Sequence, residues 1–572
     1  MTLWLAKRKP DPSPALQLAC RAQHFRRWEI PRSSYPMTRP GYLTWRAKLK
    51  SQAATQLSEL LTSSEIQPPL SQEEIDRIAA LVRKEDLKND EEAQILEDVA
   101  CLVFLDDQFD DFEKKSEMDD EKIINILKKT WAKMSPAGHA LALQMDMSDR
   151  AKLLIQKALG TRNTHQSTTS PPQPPPLESL ISTHDFVTVA ATFFPPKTYA
   201  FVSSAATDGI THRRNSSTYS DITLRPRVLR DVSSISLATT ILGQAVSSPI
   251  YASPTSLGKT VHPEGEKEIG RACKELGIAQ VISTSASFTV SEILDAINSH
   301  QQSSFSNHPV FFQLYVDRET HKSEALLSTA FCPPPPGGGG GHAPLPVLFL
   351  TVDSPVVGKR EADERVPHNP TTTTTINPPM TNSPPTPDTK GSSLGRTTAS
   401  FLSPSLTWKQ TIPWLRSILP KETKLVLKGI QSASDAFLAS ETPGINGIVL
   451  SNHGGRNLDT TPPSIQVLLE IHKFYPQVFD KIDVLIDGGI MRGTDIFKAL
   501  CLGAKGVGIG RGILWGLGSG YGREGVKRYV GILNDELEIT MALCGVTNVG
   551  ACRAGYVNTS VVDHLLPNSG HP

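Results

Sequence analysis

The spacing of apolar residues changes character about a third of the way along the chain. In the first part it is helical: Ile75, Ile78, Leu81 and Val82 share one face behind Ser71 and Glu74, a Ser-x-x-Glu capping box. The same period predicts further helices over 92–104, 121–133 and 148–159, making an all-α unit. Beyond residue 176 short apolar runs alternate with helical stretches, and eight runs read as strands: 249–252, 279–283, 309–314, 347–352, 424–427, 447–450, 483–486 and 506–509. Strand–helix alternation demands a parallel sheet, and eight repeats predict an α/β fold, a (β/α)8 or TIM barrel, preceded by a separate all-α domain. The alternative is an open doubly wound sheet. Against it, no G-x-G-x-x-G follows the first strand, and polar residues follow many strands instead of gathering at one switch point.

Three biased segments set the boundaries. Residues 161–176 (TRNTHQSTTSPPQPPP), 333–341 (PPPPGGGGG) and the Thr-, Pro- and Asn-rich stretch 366–403 lack the apolar surface to fold alone. The chain therefore divides into an all-α domain at 1–160, a linker at 161–176, a barrel at 177–563 and a tail at 564–572. The other two segments are loops inserted into the barrel, the second placed where a lid over the site would sit.

Composition narrows the function classes. A length of 572 residues implies more than one domain, and Lys+Arg equals Asp+Glu at 58 each, so net charge offers no argument for nucleic acid or a membrane surface. Seven scattered cysteines without a C-x-x-C read as reduced thiols, with no zinc site. No apolar run reaches the roughly 18 residues of a membrane span. The arginine-rich, acid-poor start imitates a mitochondrial leader, but Pro10, Pro12 and Pro14 interrupt an amphipathic helix there, and the expected location is the cytoplasm, with mitochondria as the alternative. In the helical unit His24, Glu97 and Asp98 are the candidates for chemistry: a shared metal on separate helices, or helix packing and capping.

The barrel's strand ends carry the stronger signal. Strand two ends at Ser283, strand three at Gln313 and Tyr315, strand four at Thr351 and Asp353 with Arg360 beyond, and strand five at Lys428. Strand six runs into SNHGGRNLD, with Ser451, His453 and Arg456; strand seven into Asp487 and Gly489; strand eight into Gly510 and Arg511. Active-site groups of a barrel come from the carboxyl ends of several strands. A histidine there can exchange a proton while an arginine three residues on grips a carboxylate with its planar fork, an arrangement suited to a 2-hydroxy acid. Glycine turns after strands seven and eight, with Arg492 and Arg511, predict a phosphate site. Lys428, between the two, would stabilise negative charge on a reduced ring system or pair internally with Asp353 or Asp487.

These motifs carry a family resemblance. From about residue 177 to 563 the chain resembles the flavin-dependent L-2-hydroxy-acid dehydrogenases and oxidases, the group containing flavocytochrome L-lactate dehydrogenase and glycolate oxidase. The matching stretches include SSAATDGITHRRN (203–215), FQLYVDR (312–318), TVDSPVVGKRE (351–361), SNHGGRNLD (451–459) and IDGGIMRGTDIFKALCLGAKGVGIGR (486–511), closest to the lactate dehydrogenase branch. The resemblance implies FMN as cofactor. Ser283, Gln313, Thr351 and Lys428 would bond the ring system, Ser451 would lie near the ribityl chain, and Asp487, Gly489, Gly510 and Arg511, with Arg492, would serve ribityl and phosphate. His453 would be the base, steadied by Asp353, whose carboxylate is expected to raise the imidazole's pKa. Arg456 and Tyr315 would bind the substrate carboxylate, with Arg360 a second cation, and no metal is expected.

Two departures bear on binding. Phe201 stands where the family commonly has a substrate-binding tyrosine, and Met491 where it usually has an arginine near the phosphate. The haem-domain segment H-P-G-G of the lactate dehydrogenase branch is not found ahead of residue 177; in its place stretches 21–46 and 96–112 resemble a helical domain family of unknown function. The implied partners are a small 2-hydroxy acid, an electron acceptor that is oxygen, a quinone or a soluble carrier, and further copies of the chain in a homo-oligomer, with no nucleic acid. Two other readings stand beside oxidation of an L-2-hydroxy acid: a binding or scaffold protein whose barrel site has decayed, and metal-dependent hydrolysis in the helical domain.

Overall fold

The computed structural model describes residues 1–108 except 24, 37, 64, 65, 67, 87 and 88, then 120–143, 145, 155, 173–332 except 302–304, 306 and 307, 342–367, 378–381, 393–397 and 400–567. The predicted helix over 148–159 and the 333–341 insertion lie outside the described residues, apart from Ile155. The chain separates into two compact units, Met1–Ser170 and Pro171–Pro572.

The first unit is helical. Its capping box forms as the sequence predicts: the Ser71 hydroxyl accepts from the Glu74 amide and the Glu74 carboxylate accepts from the Ser71 amide, opening the helix Gln72–Arg83. Ile75, Ile78, Leu81 and Val82 are all buried. The helix Glu91–Val103 is covered along most of its length, with Ile95, Leu96, Val99 and Leu102 fully enclosed. Among the described residues no helix is long and apolar enough to cross a membrane.

The second unit is a closed barrel of eight parallel strands in chain order, which excludes the open doubly wound sheet. The strands are β1 (Ile250–Ala252), β2 (Ala279–Ser283), β3 (Val310–Leu314), β4 (Val347–Thr351), β5 (Lys424–Ile430), β6 (Gly447–Leu450), β7 (Asp483–Asp487) and β8 (Gly506–Ile509). Closure comes from β8 pairing with β1 in the register Val507 to Ile250 and Ile509 to Ala252. The near-continuous apolar runs follow from burial on both faces. Phe311, Phe349, Val426, Val449 and Leu485 point into the barrel, while Phe312, Leu350, Leu427, Leu450 and Ile486 pack outward against the helices. At the amino end of the strands a hairpin, Thr239–Ile241 with Gln244–Val246, fills the bottom: a side chain at Gly506 would meet Ile241, and one at Gly447 would meet Leu242. The open end is therefore the carboxyl end, where the polar residues collect.

β5 is longer than its apolar run predicts. It continues past Lys428 to Ile430, and its pairing with β6 shifts between Lys428 and Ile430. Gly429 makes the shift at φ 113°, and a Cβ there would lie 2.6 Å from Asp353 Cβ. Lys428 accordingly projects from within a strand, not from its end.

Candidate active site

A cavity of about 920 Å³ opens at the carboxyl ends of the strands, running from Tyr315 and His453 to Gly489, Met491 and Arg511. Behind the lining residues, buried at the strand ends, runs a hydrogen-bonded row across three strands. Ser283 Oγ donates to Gln313 Oε1 at 3.0 Å, and Gln313 Nε2 donates to Thr351 Oγ1 at 2.9 Å. Next to this row Lys428 Nζ, buried, donates to Ser451 Oγ at 2.9 Å and lies 3.2 Å from Asp487 Oδ2. Burial alone would lower the lysine's pKa; Asp487 and Asp353 outweigh it and hold the ammonium charged above its ordinary value. The internal pairing with Asp487 is thus present, and it keeps a cation at the cavity wall.

His453 sits in the turn after β6 with a left-handed backbone, φ 57°, followed by Gly454 and Gly455 in the same region. Its amide donates to Ser451 Oγ at 3.1 Å, which fixes the turn. On the ring, Nδ1 lies 3.1 and 3.2 Å from the two Asp353 oxygens, and Nε2 lies 3.3 Å from the Tyr315 hydroxyl. The Asp353 carboxyl is held below the usual carboxylate range because His453 and Lys428 outweigh the burial that would raise it. For His453 the balance goes the other way. Burial lowers its pKa, Asp353 only partly offsets this, and Lys428 and Arg360 add to the lowering. Asp353 thus raises the imidazole's pKa as expected, while burial outweighs it and makes the net shift downward.

Arg456 is placed deep beside Phe201. Its Nη1 donates to the carbonyls of Val202 and Ser204, and Nη2 to that of Phe201, each at 2.9 Å, with the guanidinium carbon 5.5 Å from the centre of the Phe201 ring. Those bonds use three of a guanidinium's five N–H groups and leave Nε–H and one Nη2–H for a ligand. Arg360 is buried, whereas Arg456 is half-buried, and Arg360 donates from Nε to the Arg456 carbonyl at 3.2 Å. Near it Asp363, fully enclosed, pairs with Lys197 Nζ at 2.7 Å and accepts from Ser393 Oγ at 2.9 Å, holding the short helix Leu394–Thr397 against the cavity.

The far end has the character of an anion site. Arg511 is half-buried, donates to the Gly454 carbonyl at 2.7 Å and to His212 Nδ1 at 3.1 Å, and is lowered to about 10 by burial and by Arg360. Among the described residues no carboxylate pairs with it, so a bound anion would supply the missing charge. Gly489, at φ 79°, is pressed against Asn215, whose carbonyl oxygen would stand 2.2 Å from an added Cβ, whereas Gly510 faces open space. Met491 contributes its thioether, in contact with Tyr529 Oη at 4.0 Å. Arg492 is taken up by Glu536 at 2.6 Å and stands half-exposed at the cavity edge.

Several groups that set this geometry were not among the sequence candidates. Asn457 Nδ2 donates to the Asp353 carbonyl at 2.9 Å and to Ser354 Oγ at 2.7 Å. Asn215 and Asn452 exchange two amide bonds of 2.8 Å, and Asp459 accepts from the amides of Ile210 and Thr211, docking the helix Ile210–Asp221 on the histidine turn. Their only signal was membership of the quoted motifs.

In the helical unit Glu97 pairs with Lys84, and Asp98 accepts from Arg8 Nε at 2.8 Å and from the Ser135 amide at 2.7 Å. These are packing roles; His24 lies outside the described residues, and among those described no cluster of three metal-ligating side chains forms.

Residues 190–559 match the FMN-dependent dehydrogenase family. The chain belongs to that family. Residues 1–155 match a domain family of unknown function, DUF4202. An L-lactate dehydrogenase (cytochrome) of Saccharomyces cerevisiae is 37% identical over 395 residues, 68% of this chain and 62% of the relative, so the chain spans about three fifths of that enzyme. A peroxisomal (S)-2-hydroxy-acid oxidase of Oryza sativa is 38% identical over 66% of this chain and 96% of its own. Among solved structures, a flavocytochrome b2 variant with pyruvate bound superposes at a TM-score of 0.57 with 35% identity, covering 69% of this chain and 91% of the other. The cavity suits the family's FMN: a buried lysine backed by a polar row for a ring system at one end, a half-buried guanidinium without a carboxylate partner among the described residues and glycine turns for a phosphate at the other.

Proposed function

We propose that the barrel oxidises an L-2-hydroxy acid, of lactate-like size, to the 2-oxo acid. The reaction breaks the α C–H and the hydroxyl O–H bonds and forms the carbonyl; bound FMN supplies the two-electron acceptor. His453 takes the proton. Its Nδ1 is engaged by Asp353, so the neutral ring presents Nε2 as the accepting nitrogen, and the imidazolium formed is stabilised by the same carboxylate. Arg456 binds the substrate carboxylate through its two remaining N–H groups, joined by Tyr315 and by Arg360 as a second cation. Lys428 holds positive charge beside the ring system, where charge accumulates on reduction. Ser283, Gln313 and Thr351 orient the ring edge, Ser451 steadies Lys428 beside the ribityl chain, and Asp487, Gly489, Gly510 and Arg511 serve ribityl and phosphate. Arg492 contributes at most through its position beside that turn.

The observation that carries this reading is the placing of His453, its Nε2 3.3 Å from the Tyr315 hydroxyl and its Nδ1 held by Asp353, in the same cavity as Arg456. The test is anaerobic: the purified protein should show the oxidised flavin spectrum and bleach on addition of L-lactate, glycolate or a longer L-2-hydroxy acid. Persistent colour with every such acid would overturn the proposal. Reoxidation of the bleached protein by oxygen, a quinone or a soluble one-electron carrier then identifies the acceptor class.

A further inference from the structure

The neutral charge of the whole chain conceals a strongly basic stretch. Residues 21–50 hold eight arginines and lysines and one acidic residue, Glu29. The Glu29 carboxylate accepts from the amides of Gln52 and Gln56 at 2.8 and 2.7 Å, and among the described residues it is the only acid paired with this stretch, 3.8 Å from Arg26 Nη1.

The arginines are arranged on aromatic rings. Arg27 lies 5.1 Å and Arg32 5.8 Å from the centre of Trp45, and Arg32 and Arg46 lie 5.8 and 5.9 Å from that of Tyr42. Trp45 is buried and donates to the Ile30 carbonyl at 2.9 Å, and Arg32 Nη1 donates to the Tyr35 carbonyl at 2.9 Å, so the platform is fixed by the backbone. Trp28 is 76% exposed and Tyr42 42%, leaving flat rings open among the cations. Along the helix Arg39–Leu61, Tyr42, Arg46 and Lys50 recur every fourth residue and share a face about 12 Å long.

Exposed rings interleaved with guanidinium groups that, apart from Arg26, have no carboxylate partner among the described residues, over more than one phosphate spacing, suit a flexible polyanion carrying stackable rings. We propose that this face of the helical unit binds single-stranded nucleic acid. That goes beyond the oxidation assigned to the barrel and does not depend on it. An anionic bilayer is disfavoured, because among the described residues Leu43 is the one aliphatic side chain beside Trp28, Tyr42 and their arginines that is strongly exposed, too little apolar surface to enter a membrane.

The experiment measures anisotropy of labelled oligouridylate and oligothymidylate, about twelve nucleotides long, with the full-length, flavin-loaded protein. Expected is binding on the order of micromolar at about 50 mM salt, weakening at least tenfold by about 200 mM. Trp28→Ala should weaken it by at least about fivefold and Trp28→Phe restore it, while Arg27→Gln with Arg46→Gln should lower the salt slope by about two. All these variants should keep the parent's melting transition and flavin bleaching, since the exposed Trp28 bears no core. No binding at about 100 μM and low salt would overturn the proposal. So would binding to phosphatidylserine vesicles in place of the oligonucleotides, or inorganic polyphosphate binding equally well with Trp28→Ala silent.

Discussion

His453 Nδ1 stands 3.1 Å from Asp353 Oδ1, and the two residues come from turns a hundred positions apart, after β6 and after β4. In the proposed reaction the carboxylate would orient the ring and stabilise the charge that proton transfer creates. Asp353→Asn should therefore keep the flavin and the fold and reduce kcat by about 10²- to 10⁴-fold, and His453→Gln should keep the yellow colour while abolishing anaerobic bleaching. A His453→Gln protein that bleaches as fast as the parent would remove the histidine from the proposed role.

The pH profile follows from the direction of the His453 shift. Burial lowers its pKa below the ordinary 6.5, the neutral ring is the active form, and kcat/KM should be full above that value and fall as pH drops through the lower, folded-state pKa. The same sign applies to stability: the contribution of the neutral ring is present above the unfolded value and lost as pH falls through the folded one. Asp353→Asn removes the partner that opposes the lowering, so the acid limb of the residual activity should move to lower pH still. Stopped-flow reduction across the acid range reads both.

Phe201→Tyr would place a hydroxyl next to Arg456, whose guanidinium already lies over that ring. A hydrogen bond to a charged group contributes about 1.5 to 3 kcal/mol, so KM for the 2-hydroxy acid should drop by roughly 10- to 150-fold if the new hydroxyl reaches the carboxylate. An unchanged KM together with an unchanged kcat would show that the site binds its acid elsewhere.

Met491 faces Tyr529 at the end of the cavity proposed for the phosphate, and Arg492 is engaged by Glu536, so in that proposal Arg511 would carry most of the cationic duty there. Met491→Arg should tighten FMN binding, read as a lower Kd by fluorescence quenching on titrating the apoprotein, with kcat at saturating FMN unchanged. Arg511→Gln should weaken it strongly.

Asp459 is held down to about 2, burial opposing and the amides of Thr211 and Ile210 prevailing, so its contribution is present above the ordinary carboxylate pKa and lost as pH falls toward 2. Asp459→Asn should cost about 1.5 to 3 kcal/mol by denaturant unfolding of the barrel and loosen FMN, because it undocks the helix bearing His212 and Asn215.

The eight strands were legible because strands buried on both faces must be apolar throughout, and their runs matched the observed bounds within a residue or two except at β5. There the apolar run stops at Lys428 while the strand continues, since hydrogen bonding does not require an apolar side chain. The identity of the charged groups at the strand ends was equally legible, but their electrostatic balance was not. The Asp353 charge can be anticipated from a motif; the burial that outweighs it at His453 exists only once the barrel closes. Asn215 and Asn452 illustrate the same limit, a pair joined across 237 positions by two amides that carry no local pattern.

On the proposed mechanism Gly429 would make one residue without a side chain decisive for the chemistry. Its φ of 113° and the 2.6 Å left between an added Cβ and Asp353 leave the position no tolerated replacement: alanine would have to displace the carboxylate that steadies the base. A methyl group there should therefore imitate Asp353→Asn while every ionisable group of the site is still encoded, so a search for inactivating lesions confined to polar residues would miss it.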